Sequence, residues 1–490
     1  MDSARCTINC EKNIRILEEQ APIESAVPVP ADKTLGAVLC VSPLLAVEQT
    51  AVTEGGVQVS GTLSLHIVAE DEERRLYCFD AAADFSHTLT GEGLAPRMQS
   101  QVQARLNACE LRQEDGGLRL YAQLSLTAWI TQTMPLEPLT GISGGRGVEQ
   151  RTCSVCIKKK VLLGAKSMRL REEEGVEEGT VLLAAQGSLE PLKTELVGAS
   201  AALEGALFLH ALVLPPNGRL KTLTMRVPFT ETIPVQGSQE MQPFARGEIT
   251  GLQTMIRGEA LLLEADISLS VYGIRQEEFS LLEDAYDADG TFSCETERME
   301  CLRYSESRQT ELPVRAAVSI PAHLPESQET LYTCALPAVR KTENGILEGG
   351  LLVTLVYRCP QGLLHSFTQE LPFSVTLTDG AASADAASPM LITAKVLSLK
   401  AYGTGRSINV DVSLLLEGEI YTVGTLTYIR GLSPCTTPPG PKGLLLYFTQ
   451  GGESFFALGK QFGLPVKEIR ELNPEAEEPL PAGRQILLLK

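Results

Sequence analysis

At 490 residues the chain is too long for one hydrophobic core and predicts roughly three or four domains. Its composition is ordinarily globular, which excludes a disordered chain, and a single Trp (Trp129) among few aromatics calls for mainly aliphatic cores. A net charge of −19 repels a polyphosphate backbone and argues against nucleic-acid binding, while leaving protein partners open. Met1–Gln20 is polar and charged with no apolar stretch of the secretory type. No run elsewhere reaches the ~18 to 20 apolar residues of a membrane span, so no membrane span and a cytoplasmic protein are expected.

In chain order, the first organised feature is a segment that occurs three times. Residues 10–30, 156–176 and 301–321 read as irregular, polar lead-ins that end at turn signals such as Pro28-Val29-Pro30 and Ile320-Pro321. Strand-like runs follow at Gly36–Leu45, Thr180–Gln186 and Leu331–Leu336. The central strand is clearest: Val57, Val59, Gly61, Leu63, Leu65 and Ile67 alternate with polar residues, a period of two that describes one buried and one solvated face. Leu203, Gly205, Leu207 and Leu209, then Leu347, Gly349, Leu351 and Val353, repeat it. Gly61, Gly205 and Gly349 stand 144 residues apart, as do Phe85, Phe229 and Phe373, and each Phe is followed by Leu89, Ile233 or Leu377 four residues on. Two anchors that hold one offset twice establish an internal repeat.

The glycine on the apolar face marks a close approach or a bulge, and Pro228 and Pro372 before the Phe suggest an edge strand or a bulge. Each copy closes on a long alternating strand, Leu120–Ile130, Leu261–Val271 or Ile408–Glu419. The segment Leu94–Arg112 between Phe and closing strand suits a short helix or another strand. Many short strands without a helical period predict a mainly β chain of three tandem antiparallel β-sandwich-like repeats, at 1–149, 150–292 and 293–432. Pro434, Pro438, Pro439, Gly440 and Pro441 then form a Pro-rich linker, 433–443, that tethers a last unit, 444–490.

Chemistry-bearing residues are sparse. Cys153 and Cys156 form a C-x-x-C without a second pair or a histidine pair at zinc spacing. Cys10, Cys156 and Cys301 occupy corresponding points, which fits one small buried position per copy. The twelve cysteines are expected to stay as thiols. His66 and His210 share a repeat position, Thr354 in the third copy, on the polar strand face, so a solvated surface is expected of them. His87, His323 and His365 have no recurring acid or nucleophile beside them. Asp287-Ala288-Asp289-Gly290 has part of a calcium loop but lacks two main oxygen donors, Ala285 and Thr296 standing in their places, so a polar inter-domain loop is the better reading. Gly141–Gly147 lacks the ending of a phosphate cradle, and Glu172–Glu174 with Glu177 and Glu178 reads as a solvated loop. No catalytic residue, cofactor or metal site is expected.

The last unit has another rhythm. Leu444–Thr449 reads as a strand, and Gln450–Ser454 as a turn into a helix with Ser454 as N-cap and Glu453 at the positive helix end. Phe455, Leu458 and Phe462 form an apolar stripe ended by Gly463. Pro465 suits the first position of a second helix with Val466, Ile469 and Leu472 inward, stopped by Asn473-Pro474. Gln485–Leu489 can pair with the first strand, so the derived order is strand, helix, helix, strand, a small α+β (βααβ) unit.

The run Y-F-T-Q-G-G-E-S-F-F-A-L-G-K-Q-F-G-L-P-V-K-E-I-R-E-L-N-P, followed by L-P-A-G-R-Q-I-L-L-L, resembles the LysM module, whose pattern is a strand, G-D-S/T-L, F-G-V/L, L-x-x-x-N and P-G-Q-x-L. The three preceding units, by their G…P-F spacing and their order ahead of LysM, resemble the SPOCS domain. Together they are similar to SipL-type morphogenetic proteins of the spore coat in endospore-forming bacteria. The resemblance implies a non-catalytic scaffold in the mother-cell cytoplasm at the forespore surface.

LysM modules bind N-acetylglucosamine-containing glycans in a groove between two loops, which map to Gly451, Gly452, Glu453, Ser454 and Phe455, and to Leu472, Asn473, Pro474 and Gly483. In SipL-like proteins the module is thought instead to engage the coat ATPase, a stage IV sporulation protein A. Here Glu453 replaces the usual Asp, Glu475, Glu477 and Glu478 form an acidic rim, and Leu488-Leu489-Lys490 replaces a closing I-P. These departures favour a protein partner, the coat morphogenetic ATPase. The alternative is a peptidoglycan-binding cell-wall protein with the repeats as spacer. An enzyme targeted by LysM would need a catalytic cluster in residues 1–432, and none is visible.

Overall fold

The structure is a computed structural model that describes residues 2–114, 117–143, 147–236, 241–343, 346–376, 390–435 and 443–489. Leu377, Pro438, Pro439, Gly440, Pro441, most of the 433–443 linker and part of Gly141–Gly147 lie outside the described residues. The chain is mainly β, in several antiparallel sheets, as its strand periodicity predicts.

The first third contains β1 (Asp2–Arg5), β2 (Ile8–Val27), β3 (Ala37–Thr53), β4 (Gly56–Glu70), β5 (Leu76–Thr90), β6 (Gln99–Glu114) and β7 (Gly117–Leu136). The second contains β8 (Leu139–Ser143), which pairs back to β1, then β9 (Val148–Gly175), β10 (Val181–Leu189), β11 (Lys193–Val197), β12 (Ser200–Leu214), β13 (Lys221–Pro234), β14 (Gln242–Arg257) and β15 (Ala260–Asp287). In the final third stand β16 (Phe292–Ser319), β17 (Glu329–Glu343), β18 (Ile346–Arg358), β19 (Leu364–Thr376), β20 (Met390–Tyr402) and β21 (Ser407–Pro434).

Every third builds two sheets on one plan. One is centred on β4, β12 or β18, flanked by β3 and β5, by β10 and β13 (with the short β11), or by β17 and β19. The other is centred on β7, β15 or β21, flanked by β2 and β6, β9 and β14, or β16 and β20. The inward faces of the two sheets share one aliphatic core per third, around Leu63 and Leu124, Leu207 and Leu269, or Leu351 and Leu414.

The paired anchors have a direct cause. Gly61 lies opposite Phe85, Gly205 opposite Phe229 and Gly349 opposite Phe373. A Cβ on any of the three glycines would be crowded by the facing ring and by a second neighbour, the Ala46 carbonyl at Gly61, Leu192 at Gly205 and the Ala338 carbonyl at Gly349, so the ring lies close over bare backbone. Pro228 and Pro372 sit on β13 and β19, which pair on one side only, where a missing N–H costs the ladder nothing.

One expectation fails here. The polar lead-ins are the long strands β2, β9 and β16. Bulges at Asn13/Arg15, at Val271/Tyr272 and at Tyr304/Glu306 exchange the two faces partway along each pairing and erase the period of two. The open choice for Leu94–Arg112 resolves as the strand β6.

The thirds do not lie in a row. Val68, Leu212 and Val356, each 144 residues from the next, meet in one buried cluster. At the far end Leu136, Leu281 and Leu426 meet in another. Equivalent residues can converge twice only if the three units surround a common axis, so the chain forms a ring. One bridge, Leu302 with Glu11, joins the sheets of the first and third units edge to edge.

The seams of this ring are partly polar, which corrects the reading of His66 and His210 as solvated. His66 spans the first seam, with Nδ1 2.6 Å from Asp80 Oδ1 and Nε2 2.7 Å from the Leu183 carbonyl. His210 packs on Tyr332 across the second, and burial pushes its pKa down. Between the second and third units the fully buried Glu419 meets Lys160 at 2.6 Å and Arg246 at 2.8 Å, and accepts the Tyr421 hydroxyl at 2.9 Å. The correspondence of Cys10, Cys156 and Cys301 also shifts by one residue. Cys10 faces Met134, Cys301 faces Gly424, and the residue at the matching register is Val155, which faces Phe279. A one-residue slip turns Cys156 to the other strand face, where it is only half-buried.

The C-terminal unit runs β22 (Leu444–Phe448), α1 (Phe455–Phe462), α2 (Val466–Leu472) and β23 (Gln485–Leu489), with β22 antiparallel to β23. Ser454 caps α1 by accepting from the Ala457 N–H at 3.1 Å, and Gly463 closes it in the left-handed conformation (φ 64°). Pro465 is the N-cap of α2, one place earlier than expected. Phe455, Leu458, Ile469, Ile486 and Leu488 form the core.

Candidate functional site

The two loops that the sequence singles out lie side by side, and they are zipped to one another by backbone. Gly452 N–H donates to the Leu480 carbonyl at 2.8 Å, Leu480 N–H to the Glu453 carbonyl at 2.9 Å, and Gly483 N–H to the Thr449 carbonyl at 2.7 Å. Gly451, Gly452 and Gly483 all have positive φ, as the two tight turns require. Gly451 packs against Ala482.

The side chains of this region are largely occupied inside the unit. Glu453 does not sit on the end of α1: it accepts from the Tyr447 hydroxyl at 2.7 Å and from the Gln450 N–H at 2.7 Å, which pushes the tyrosine pKa up. Phe455 is buried in the core, and its backbone N–H is taken by the carboxylate of Glu478, itself held by Arg470 at 2.7 Å. One residue of the acidic rim thus turns inward and satisfies an open donor at the start of α1. Asn473 is the clasp between α2 and the sheet. Its Nδ2 donates to the carbonyls of Ile469 (2.7 Å) and Leu487 (2.8 Å), and its Oδ1 accepts the Leu487 N–H at 2.8 Å. Pro474 and Gly483 are exposed. Leu472, expected on the inner face of α2, is 37% exposed, because a seven-residue helix covers the core with little more than Val466 and Ile469.

A second surface escaped the sequence reading. Leu444 pairs with Leu489, Leu446 with Leu487 and Phe448 with Gln485, so these residues share the outer face of the two-stranded sheet. Leu444 is 67% exposed, Leu446 49%, Phe448 55% and Leu489 53%. Nothing in the described chain covers this stripe, whereas scattered single apolar residues are ordinary at a protein surface. Its signal was present in the unbroken runs Leu444-Leu445-Leu446 and Leu487-Leu488-Leu489. Two short helices can cover only one face of such a sheet.

The opposite end of the unit is seated on the second third of the ring. Tyr286 donates to the Leu464 carbonyl at 2.8 Å and stacks edge-on against Phe456 with ring centroids 5.1 Å apart. Lys460 pairs with Asp284 at 2.7 Å, the Val466 N–H donates to Glu149 at 3.0 Å, and the Arg151 guanidinium lies over the Phe456 ring at 5.3 Å. A Cβ at Gly459 would collide with Tyr286. The unit is therefore docked, with its loops and its apolar sheet face away from these contacts.

Elsewhere, His87 meets Glu19 at 2.9 Å, and Asp287 is buried, accepting the Thr291 N–H at 2.8 Å in the turn between β15 and β16. Glu172–Glu174, expected in a loop, are exposed on β9. Among the described residues no group of three His, Cys, Asp or Glu side chains is placed to hold a metal ion, and no helix is long and apolar enough to cross a membrane. Comparison with known proteins adds nothing to this geometry: no family model, curated protein or solved structure matches the chain.

Proposed function

We propose that the chain is a non-catalytic scaffold of endospore coat assembly: three SPOCS-like β-sandwich units followed by a LysM-like unit that docks on a coat morphogenetic ATPase at the forespore surface. The outer face of the β22–β23 sheet, a stripe of Leu444, Leu446, Phe448 and Leu489 on an otherwise small and charged unit, carries this reading. Such a stripe suits a protein surface that buries it. Glycan recognition relies on open backbone donors and acceptors between the two loops, and here the Phe455 N–H is already held by Glu478.

The test is co-purification of the full-length chain with the coat ATPase, alongside a pull-down on purified cortex peptidoglycan. Capture of the ATPase by the native chain, lost in Leu446→Asp and Phe448→Asp while the glycan pull-down stays empty, is expected. Retention on peptidoglycan without ATPase association sinks the scaffold reading in favour of a cell-wall glycan binder.

A further inference from the structure

A ring made from one chain has one seam unlike the others. The first and second units are consecutive in sequence, as are the second and third, but the first and third meet without a direct covalent connection. At that seam Cys40 on β3 and Cys334 on β17 approach to 3.4 Å between sulfurs, at 3% and 7% exposure. Their surroundings are Val68, Tyr332 and Val356, within the apolar cluster where all three units converge. Cys10 and Cys301 lie across the same seam at the other end of the axis. The Leu302–Glu11 bridge puts those two in diagonal positions on one strand face, where their thiols also interact, so they form the competing pair.

We propose that Cys40 and Cys334 are a cross-linking site: a disulfide between them closes the ring covalently when the chain meets a small-molecule disulfide of the oxidised-glutathione class. This does not depend on the scaffold reading. Either sulfur can donate to the other across this contact; whichever thiol ionises first, taken as Cys334, is stabilised by the S–H of its partner and becomes the first nucleophile. Its thiolate attacks one sulfur of the small disulfide. That S–S bond breaks, a mixed disulfide forms on Cys334 and one small thiolate leaves. Cys40 then gives up its proton and attacks Cys334 Sγ, and the second small thiol departs. Two protein thiols are oxidised and one small disulfide is reduced to two thiols. Both sulfurs are buried, so the first attack takes place while the seam is transiently open.

The loop closed spans 294 residues, and its closure acts on the unfolded chain. The experiment incubates the full-length chain with oxidised glutathione, maps linked peptides by mass spectrometry without reduction, and follows unfolding by the emission of Trp129. That residue packs edge-on against Tyr421 of the third unit, with centroids 4.6 Å apart, and reports the seam directly. A Cys40–Cys334 peptide is expected, together with a rise of about 5 °C in the unfolding midpoint. Reduction should reverse both. C40S and C334S should each abolish them and C109S neither. Should the serine variants fail to fold, the peptide map of the native chain decides alone. Glutathione adducts on other cysteines with Cys40 and Cys334 left as free thiols would overturn the proposal, as would linkage of Cys10 to Cys301 in its place.

Discussion

The ring and the C-terminal unit use sheet faces in opposite ways. In the ring, faces that alternation marks as polar are taken out of water at the seams: His66 is wedged against Leu183, and Glu419 is fully buried between two cations. In the C-terminal unit, a face made of leucine and phenylalanine is left in water. A period of two therefore says which residues share a face, while what covers that face is decided by the assembly. Polar groups buried at seams are paired across units, while the apolar stripe has no partner among the described residues.

The largest effect expected from breaking this contrast is at Glu419. Glu419→Ala strands Lys160 and Arg246 at the second seam and should cost roughly 3–5 kcal/mol of ring stability, read by denaturant unfolding. An unchanged midpoint would mean that the seam is not an obligatory contact. Asn473→Ala removes three hydrogen bonds and should destabilise the C-terminal unit by about 2–3 kcal/mol, with hydrogen exchange rising in residues 444–489 and not in the ring.

A smaller effect is expected at His66. Burial alone would push its pKa down, but Cys78, the Leu183 carbonyl and Asp80 together raise it to about 9. The proton is thus held more tightly in the folded ring than in the unfolded chain. This stabilisation is complete below about pH 6.5 and disappears as pH rises through about 9. The melting temperature of the native chain should fall across that window more steeply than that of His66→Gln. Equal slopes would place the seam's pH response elsewhere. Least visible in stability is Leu446→Asp, which should shift unfolding by no more than about 0.5 kcal/mol while abolishing partner capture.

Much of the architecture was legible before any coordinates. The Gly–Phe offsets revealed three copies because ring-over-glycine packing leaves no freedom at either residue. Ser454, Gly463 and Asn473 announced the helix ends because capping is local chemistry. The ring itself was not legible. Its seams join residues far apart in sequence and mix Cys40, His66 and Glu419 with aliphatic neighbours, so no short window shows them. The strands β2, β9 and β16 were hidden by bulges in their pairing, and the exposed apolar stripe by unbroken leucine runs that do not show which face the helices cover. Of the loop residues Gly451–Phe455 and Leu472–Gly483, the sequence located the place but not the internal bonds that fill it.

The seating of the C-terminal unit on Tyr286, Asp284 and Glu149 has a consequence for stoichiometry. Three identical subunits around an axis would display three tails. A ring fused in one chain has a single such C-terminal unit, and the contacts described above that receive it come from the second unit. The apolar stripe is thereby fixed relative to the second unit and is not repeated with the threefold period of the ring.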